Sequence, residues 1–400
     1  MAKKGKILII TKTDYLTKNS GSTAYLKSII QGLKKENKVE VLNMYKIEKI
    51  FFFDKEGINY FNNAFKIGKL HFCYGVLLRR ILFSLQYILN NNFFLNFLPK
   101  YTPALQPFDK KEINFVINHI KKKKYTTVIA NYISSSNVFK ENFFKEKNIK
   151  TIILTCDIIQ NRIKIFKEKG INCQNIAHWT EEKEIEAWQS ADIIVSIQKE
   201  ETQQIQQLCP NKKIITTPVS FDLKMTSKKR LEREFQKNIM FIGANNPPNK
   251  SAVEFLLSFA SEINATFNIY GGVCKEFKKQ NQKNVVFKGK LDNLQEAYQN
   301  NDIALVPLIG GTGLKVKSVE ALSYSMPIVG TKYAIEGMRN SLGKCCFEGN
   351  SEKELINELK NLINNEELYK KATKEAQKYF ENNFTPKIAL KELIETLKEK

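Results

Sequence analysis

Residues 302–331 read "DIALVPLIGGTGLKVKSVEALSYSMPIVGT". Ile303 to Ile309 form an apolar run, and Leu314, Val319 and Leu322 recur at helical spacing, so Gly310, Gly311 and Gly313 stand where a strand turns into a helix. A second short apolar run, "MPIVGT", follows. Strand, glycine loop, helix and strand are the parts of a parallel α/β sheet. In such sheets ligands bind beyond the carboxyl ends of the strands, and the free N–H groups opening a helix favour anions. Glycine lets backbone amides close on a phosphate. The spacing is neither G-x-G-x-x-G nor G-x-x-x-x-G-K-[ST], which supports neither a dinucleotide fingerprint nor a P-loop ATPase. Lys315 falls in the first helical turn, where a positive charge opposes the helix dipole unless a diphosphate sits there. Glu320, about two turns down the helix, is spaced to accept from a pair of ligand hydroxyls, as a carboxylate does from ribose.

The same alternation extends in both directions. "KILII", "KVEVLNMY", "TTVIANYI", "KTIILTCD", "ADIIVSI" and "KKIITTPV" read as strands, with helical patterns at 21–35, 110–124 and 180–191. A charged stretch, "LKMTSKKRLEREFQK", interrupts the order before it restarts at "NIMFIGANN", so a boundary is expected there. The reading is two doubly wound α/β domains: residues 1–222, a linker at 223–236, a second domain at 237–378, and a C-terminal helix at 379–400. About 60–105 the chain is rich in Phe, Leu and Tyr, with Arg79 and Arg80 in the middle, which argues against a transmembrane helix. Two readings of this insertion stay open: a helical insertion packed on the first domain, or an interfacial surface among lipid headgroups.

A length of 400 residues exceeds what one core usually organises. Lys plus Arg outnumber Asp plus Glu by 63 to 41, and the net charge of +22 favours anionic partners. Nucleic acid is not expected, because no aromatic-and-basic motif of a known type is present. The seven cysteines form no C-x-x-C pair, and the three histidines are too few nearby for a zinc site, so reduced thiols in a cytoplasmic protein are the simplest reading. The apolar run at the start is too short for a signal peptide or a span.

"MFIGANNPPNKSAVEFLL", "FNIYGG" and "VVFKGKLDNLQEAYQNNDIALVPLIGGTGLKVKSVEALSYSMPIVGTKYAIEGM" resemble the nucleotide-sugar-binding half of GT-B glycosyltransferases, in particular the large retaining group numbered family four. The resemblance covers most of 237–345, and extends more loosely to "NSGSTAYL", "LTCDIIQNR" and "EEKEIEAWQSADIIVSIQKEE" in the first half. It implies a GT-B fold: two Rossmann-like domains facing across a cleft, with C-terminal helices crossing back to the first. It implies that Gly310, Gly311, Thr312, Gly313 and Leu314 cradle the donor diphosphate, that Lys315 neutralises it and that Glu320 binds the ribose. Gly21, Gly243, Asn249 and Lys250 would approach the phosphates and sugar, and backbone around Gly289 would hold the base. Ser22, Asp157 and Arg162 fall on the acceptor side, with Asp157 and Lys315 as the catalytic pair.

Two positions depart from the family. Its pair of glutamates eight positions apart is here Thr312 and Glu320, and its histidine before the aspartate of 154–162 is here Cys156. The resemblance implies no cofactor and no metal, since the nucleotide-sugar is a substrate and no DxD-type pair is evident. The expected partners are a nucleotide-sugar donor and a glycan or lipid-linked acceptor, with peripheral contact to an anionic membrane on the inner face of the cytoplasmic membrane. The implied activity is hexosyl transfer in surface polysaccharide, lipopolysaccharide or capsule synthesis; a non-catalytic GT-B protein, as partner or regulator, is the alternative. His178 and Trp179 are open to two readings, a substrate stack or a helix-start core pair.

Overall fold

The computed structural model describes residues 5–13, 20–44, 105–277 and 279–399, with the backbone of four short strands between 51 and 73. Most of the aromatic insertion lies outside the described residues. The strands are β1 (Lys6–Thr11), β2 (Lys38–Asn43), β3 (Phe51–Phe52), β4 (Gly57–Asn59), β5 (Ala64–Ile67), β6 (Leu70–Cys73), β7 (Thr127–Asn131), β8 (Lys150–Leu154), β9 (Ile193–Ser196) and β10 (Lys213–Thr216). The second half adds β11 (Asn238–Ile242), β12 (Thr266–Tyr270), β13 (Val285–Gly289), β14 (Ile303–Val306), β15 (Ile328–Gly330) and β16 (Cys346–Glu348).

Two parallel sheets result, ordered β10-β9-β8-β7-β1-β2-β4 and β13-β12-β11-β14-β15-β16, beside a small antiparallel trio β3-β6-β5. Both large sheets reverse their strand order beside their first strand, between β1 and β7 and between β11 and β14. These reversals are where an open α/β sheet leaves a crevice. The strands read as continuous apolar runs because helices cover both faces. In β1, Ile7 and Ile9 pack on one side with Tyr25, Leu26 and Ile29, while Leu8 and Ile10 pack on the other with Val116, Ile120 and Val128. Truncating any one of these isoleucines to alanine costs about 2–5 kcal/mol.

The charged stretch after residue 222 is less of a linker than its composition suggests. Lys224 and Met225 already donate to the Ser323 carbonyl of the second domain, and Ser227–Leu231 is helical. Arg230 is 1% exposed and donates to the carbonyls of Tyr324, Asn301 and Tyr298 at 2.6–2.7 Å, a structural arginine in a run that reads as surface.

The expected return of the C-terminus is present. The helix Glu366–Asn383 runs through the expected boundary at 379, and the chain then passes beside its outgoing crossing, where the Phe221 N–H donates to the Phe384 carbonyl at 3.1 Å. Pro386 opens a short turn, and the helix Lys391–Lys398 docks on the first domain. Lys150 Nζ donates to the carbonyls of Thr396 and Glu399 at 3.0 and 2.7 Å, the Thr216 N–H donates to Glu392 at 3.1 Å, and Lys398 pairs with Glu36 at 2.9 Å. Among the described residues no helix is long and apolar enough to cross a membrane.

Candidate functional site

The two crevices meet in one cavity of about 630 Å³, within the usual range for small-molecule sites. The second domain contributes the glycine loop after β14, the end of β11 and the helix Val316–Ser323. Gly311 and Gly313 have φ of +129° and +73°, which other residues rarely adopt. A Cβ on Gly313 would lie 3.0 Å from the Cys156 carbonyl oxygen, so this glycine also allows the two domains to touch.

Lys315 is the N-cap of the helix rather than part of its first turn. Its Nζ donates to the Gly313 carbonyl at 2.6 Å and pairs with Glu336 at 3.1 Å. Lys317, the second residue of the helix, donates to Asn249 Oδ1 at 2.8 Å with its ammonium 4.4 Å from the centre of the Phe241 ring. It keeps some solvent access through the cavity, yet desolvation, reinforced by the charge of Lys315, lowers its pKa to about 7. Glu320 accepts from the Tyr298 hydroxyl at 3.0 Å, and burial raises its pKa. Two lysines, a loop rich in free amides and a half-buried carboxylate therefore face one space, a set suited to a diphosphate and a diol.

The opposite wall follows β7 and β8 and the start of the helix Gly21–Lys34. Asp157 is 4% exposed; its Oδ2 accepts from Arg162 Nε at 2.7 Å and from the Thr312 hydroxyl of the other domain, and its Oδ1 pairs with Arg162 Nη2. Burial pushes the Cys156 thiol well up, so it is a neutral side chain rather than a nucleophile. Behind them lies Glu201, 3% exposed, whose carboxyl is raised first by burial and then by Asp157 and Glu336. Gln198 Nε2 donates to Glu336 at 2.9 Å, a second polar bridge between the domains.

Of the residues singled out from sequence, Gly21, Ser22, Asp157, Arg162, Gly243, Asn249, Gly310, Gly311, Thr312, Leu314, Lys315 and Glu320 line the cavity. Three do not. Lys250 turns away to pair with Glu276 at 3.1 Å, and Gly289, at φ +76°, ends β13 outside the lining. Gly313 is buried beneath Cys156 and Asp157. Trp179 is 6% exposed and donates to the Leu105 carbonyl at 2.9 Å; with His178 it borders a separate, smaller hollow. Sequence reading gave no role to Lys317, Tyr132, Glu336 or Glu201. For Lys317 the signal was there, a second lysine two positions beyond Lys315 and close to the same helix end. Glu336, Glu201 and Tyr132 are brought in only by the tertiary fold.

Residues 236–365 match the family described as Glycosyl transferases group 1. A Klebsiella pneumoniae protein, described as an uncharacterized 44.6 kDa protein in the cps region, is 29% identical over 111 residues, which span 25% of this chain and 29% of that one. Among solved structures, TarM superposes with a TM-score of 0.67 at 13% identity, covering 100% of this chain and 99% of that one. HepE of Anabaena in complex with UDP-glucose superposes with a TM-score of 0.61 at 12% identity, covering 98% and 99% of the two chains. These identities speak to fold alone. The chain thus has the two-domain GT-B fold, and residues 236–365, within its second domain, match the glycosyl transferases group 1 family.

Proposed function

We propose that the protein moves a sugar from a UDP- or GDP-sugar to a glycan or lipid-linked acceptor in bacterial surface polysaccharide, lipopolysaccharide or capsule synthesis. The carrying observation is the convergence of Lys315, Lys317, the glycine loop and Glu320 on one side of a cavity whose other side is built by a different domain. The solved HepE complex with UDP-glucose and the cps-region location of the Klebsiella relative support the reading. So does a structure of S. aureus TarM, which holds UDP together with α-GlcNAc-glycerol. The net charge of +22 suits an anionic acceptor or membrane surface and gives a reason for peripheral attachment.

In this reading the diphosphate lies on the loop amides, with the lysines offsetting the charge that builds as it leaves, and no metal is called for. The bond from the anomeric carbon to the β-phosphate oxygen breaks, the acceptor oxygen bonds to that carbon on the same face, and its proton passes to the departing phosphate. Configuration is retained. Asp157, saturated by Arg162 and Thr312, is better suited to fixing the two walls than to accepting a proton. Thermal stabilisation by UDP, GDP, CMP and their sugars, run beside Lys315→Ala and Glu320→Ala, tests the donor site. A shift of several degrees with one nucleotide, absent in both variants, is the expected result; no shift with any nucleotide in a folded sample sinks it.

A further inference from the structure

Tyr132 follows β7, at the point where the first sheet reverses its order. Its φ of 67° and ψ of 152° fall in a region that residues with a side chain almost never occupy. Asn148, Lys237 and Ser325 share a positive φ, but of the four only Tyr132 lines the cavity. Glycine would relieve this backbone at once, yet an aromatic residue stands there. Its surroundings hold it in place: the Tyr132 N–H donates to the Leu154 carbonyl at 2.9 Å and its carbonyl accepts from Ser135 at 3.1 Å. The preceding Asn131 donates to the hydroxyls of Thr11 and Thr13 at 3.0 and 2.9 Å.

The side chain is 7% exposed, and its hydroxyl lies within hydrogen-bonding reach of Ser22 and Cys156. Burial, then the neighbouring Cys156, raises the phenol far above its ordinary pKa, so it stays a protonated donor at any working pH. The rest of this wall has little to offer a sugar. Asp157 is taken by Arg162 and Thr312, and a buried thiol hydrogen-bonds weakly. Asp157 is also the residue that meets the glycine loop through Thr312, and Tyr132 lines the same cavity as both, so the phenol faces the space that a sugar carried by a diphosphate on that loop would fill.

We propose that Tyr132 is a sugar-binding residue: its strained backbone aims a neutral phenol at a hydroxyl of the sugar carried on the donor's β-phosphate. The proposal rests on the nucleotide-sugar reading above. The test is titration of the full chain and of Tyr132→Phe with UDP, GDP, UDP-glucose, UDP-GlcNAc and GDP-mannose, with the unfolding midpoint measured alongside. Tyr132→Phe keeps the ring and is expected to keep the midpoint and the affinity for the free nucleotide. It is expected to lose about tenfold of the affinity that attaching the sugar adds, the equivalent of one hydrogen bond. Unchanged affinity for the sugar nucleotide overturns the proposal, and so does an equal loss for nucleotide and sugar nucleotide, which would mark a structural role. A parent protein that binds none of the five overturns the nucleotide-sugar reading itself, an outcome visible before the variant is compared.

Discussion

The Thr312 hydroxyl donates to Asp157 Oδ2 from the opposite domain, joining the glycine loop to the end of β8 across 155 positions of sequence. Arg162 holds the same carboxylate from its own domain. Asp157→Asn should therefore strand a guanidinium in the cleft. A loss of about 2–3 kcal/mol in urea unfolding is expected, below the figure for a fully buried pair because Arg162 keeps 20% of its side-chain exposure. Thr312→Val removes one hydrogen bond to a charged acceptor and should cost less, about 1–2 kcal/mol. The reverse ranking would mean that the contact between domains, not the ion pair, carries the stability.

Lys317 should make nucleotide binding pH-dependent. Its pKa of about 7 lies below the usual lysine value of about 10.4. A bound diphosphate favours the charged form, so affinity for UDP or GDP should be level below pH 7 and fall above it, by at most about tenfold per unit. Calorimetry in two buffers of different ionisation enthalpy should show proton uptake near pH 8, and a flat profile would refute the assignment.

The same lysine should trade stability for binding. Because its folded pKa is depressed, the unfolded chain binds more protons between about pH 7 and 10.4, so its destabilising effect is full below that window and fades across it. Lys317→Met should unfold at a higher temperature than the parent at pH 7, with the gap closing towards pH 10. Nucleotide affinity should drop by at least about tenfold.

Glu320→Gln keeps the shape of the side chain and its contact with Tyr298 while removing the charge that a ribose diol would meet. Nucleoside diphosphate affinity is expected to fall by about tenfold, with inorganic diphosphate bound as before. Equal losses for both ligands would place Glu320 in general electrostatics instead of ribose recognition.

Gly32 faces the returning C-terminal segment, and a Cβ there would lie 1.9 Å from Leu390 Cδ1, a side chain 1% exposed. Gly32→Ala should loosen the tail, giving faster hydrogen exchange across Lys391–Lys398 and a loss of about 1–3 kcal/mol. The second domain should still bind nucleotide.

Much of the architecture was legible because it rests on local patterns. The apolar runs of β1 and β14 announce two-sided burial, and glycines between a strand and a helix mark the loop that forms half the cavity. Pairings set by distant residues were not. Lys250 resembles a phosphate ligand until the loop at Glu276 is folded beside it, and Arg230 resembles a linker residue until three carbonyls surround it. Tyr132 left no trace, because nothing in a tyrosine's neighbours announces a positive φ. Residue type alone shows what a side chain can do; the partner that has already claimed it is a property of the fold.

The bond between Phe221 and Phe384 bears on how the molecule moves. The polypeptide passes between the domains twice, once near 221 and once near 384, and the two passages are stitched side by side. Two adjacent crossings define a line about which the lobes could turn. A swing about that seam would open the cavity only by parting the Thr312–Asp157 and Gln198–Glu336 bonds that join its two walls.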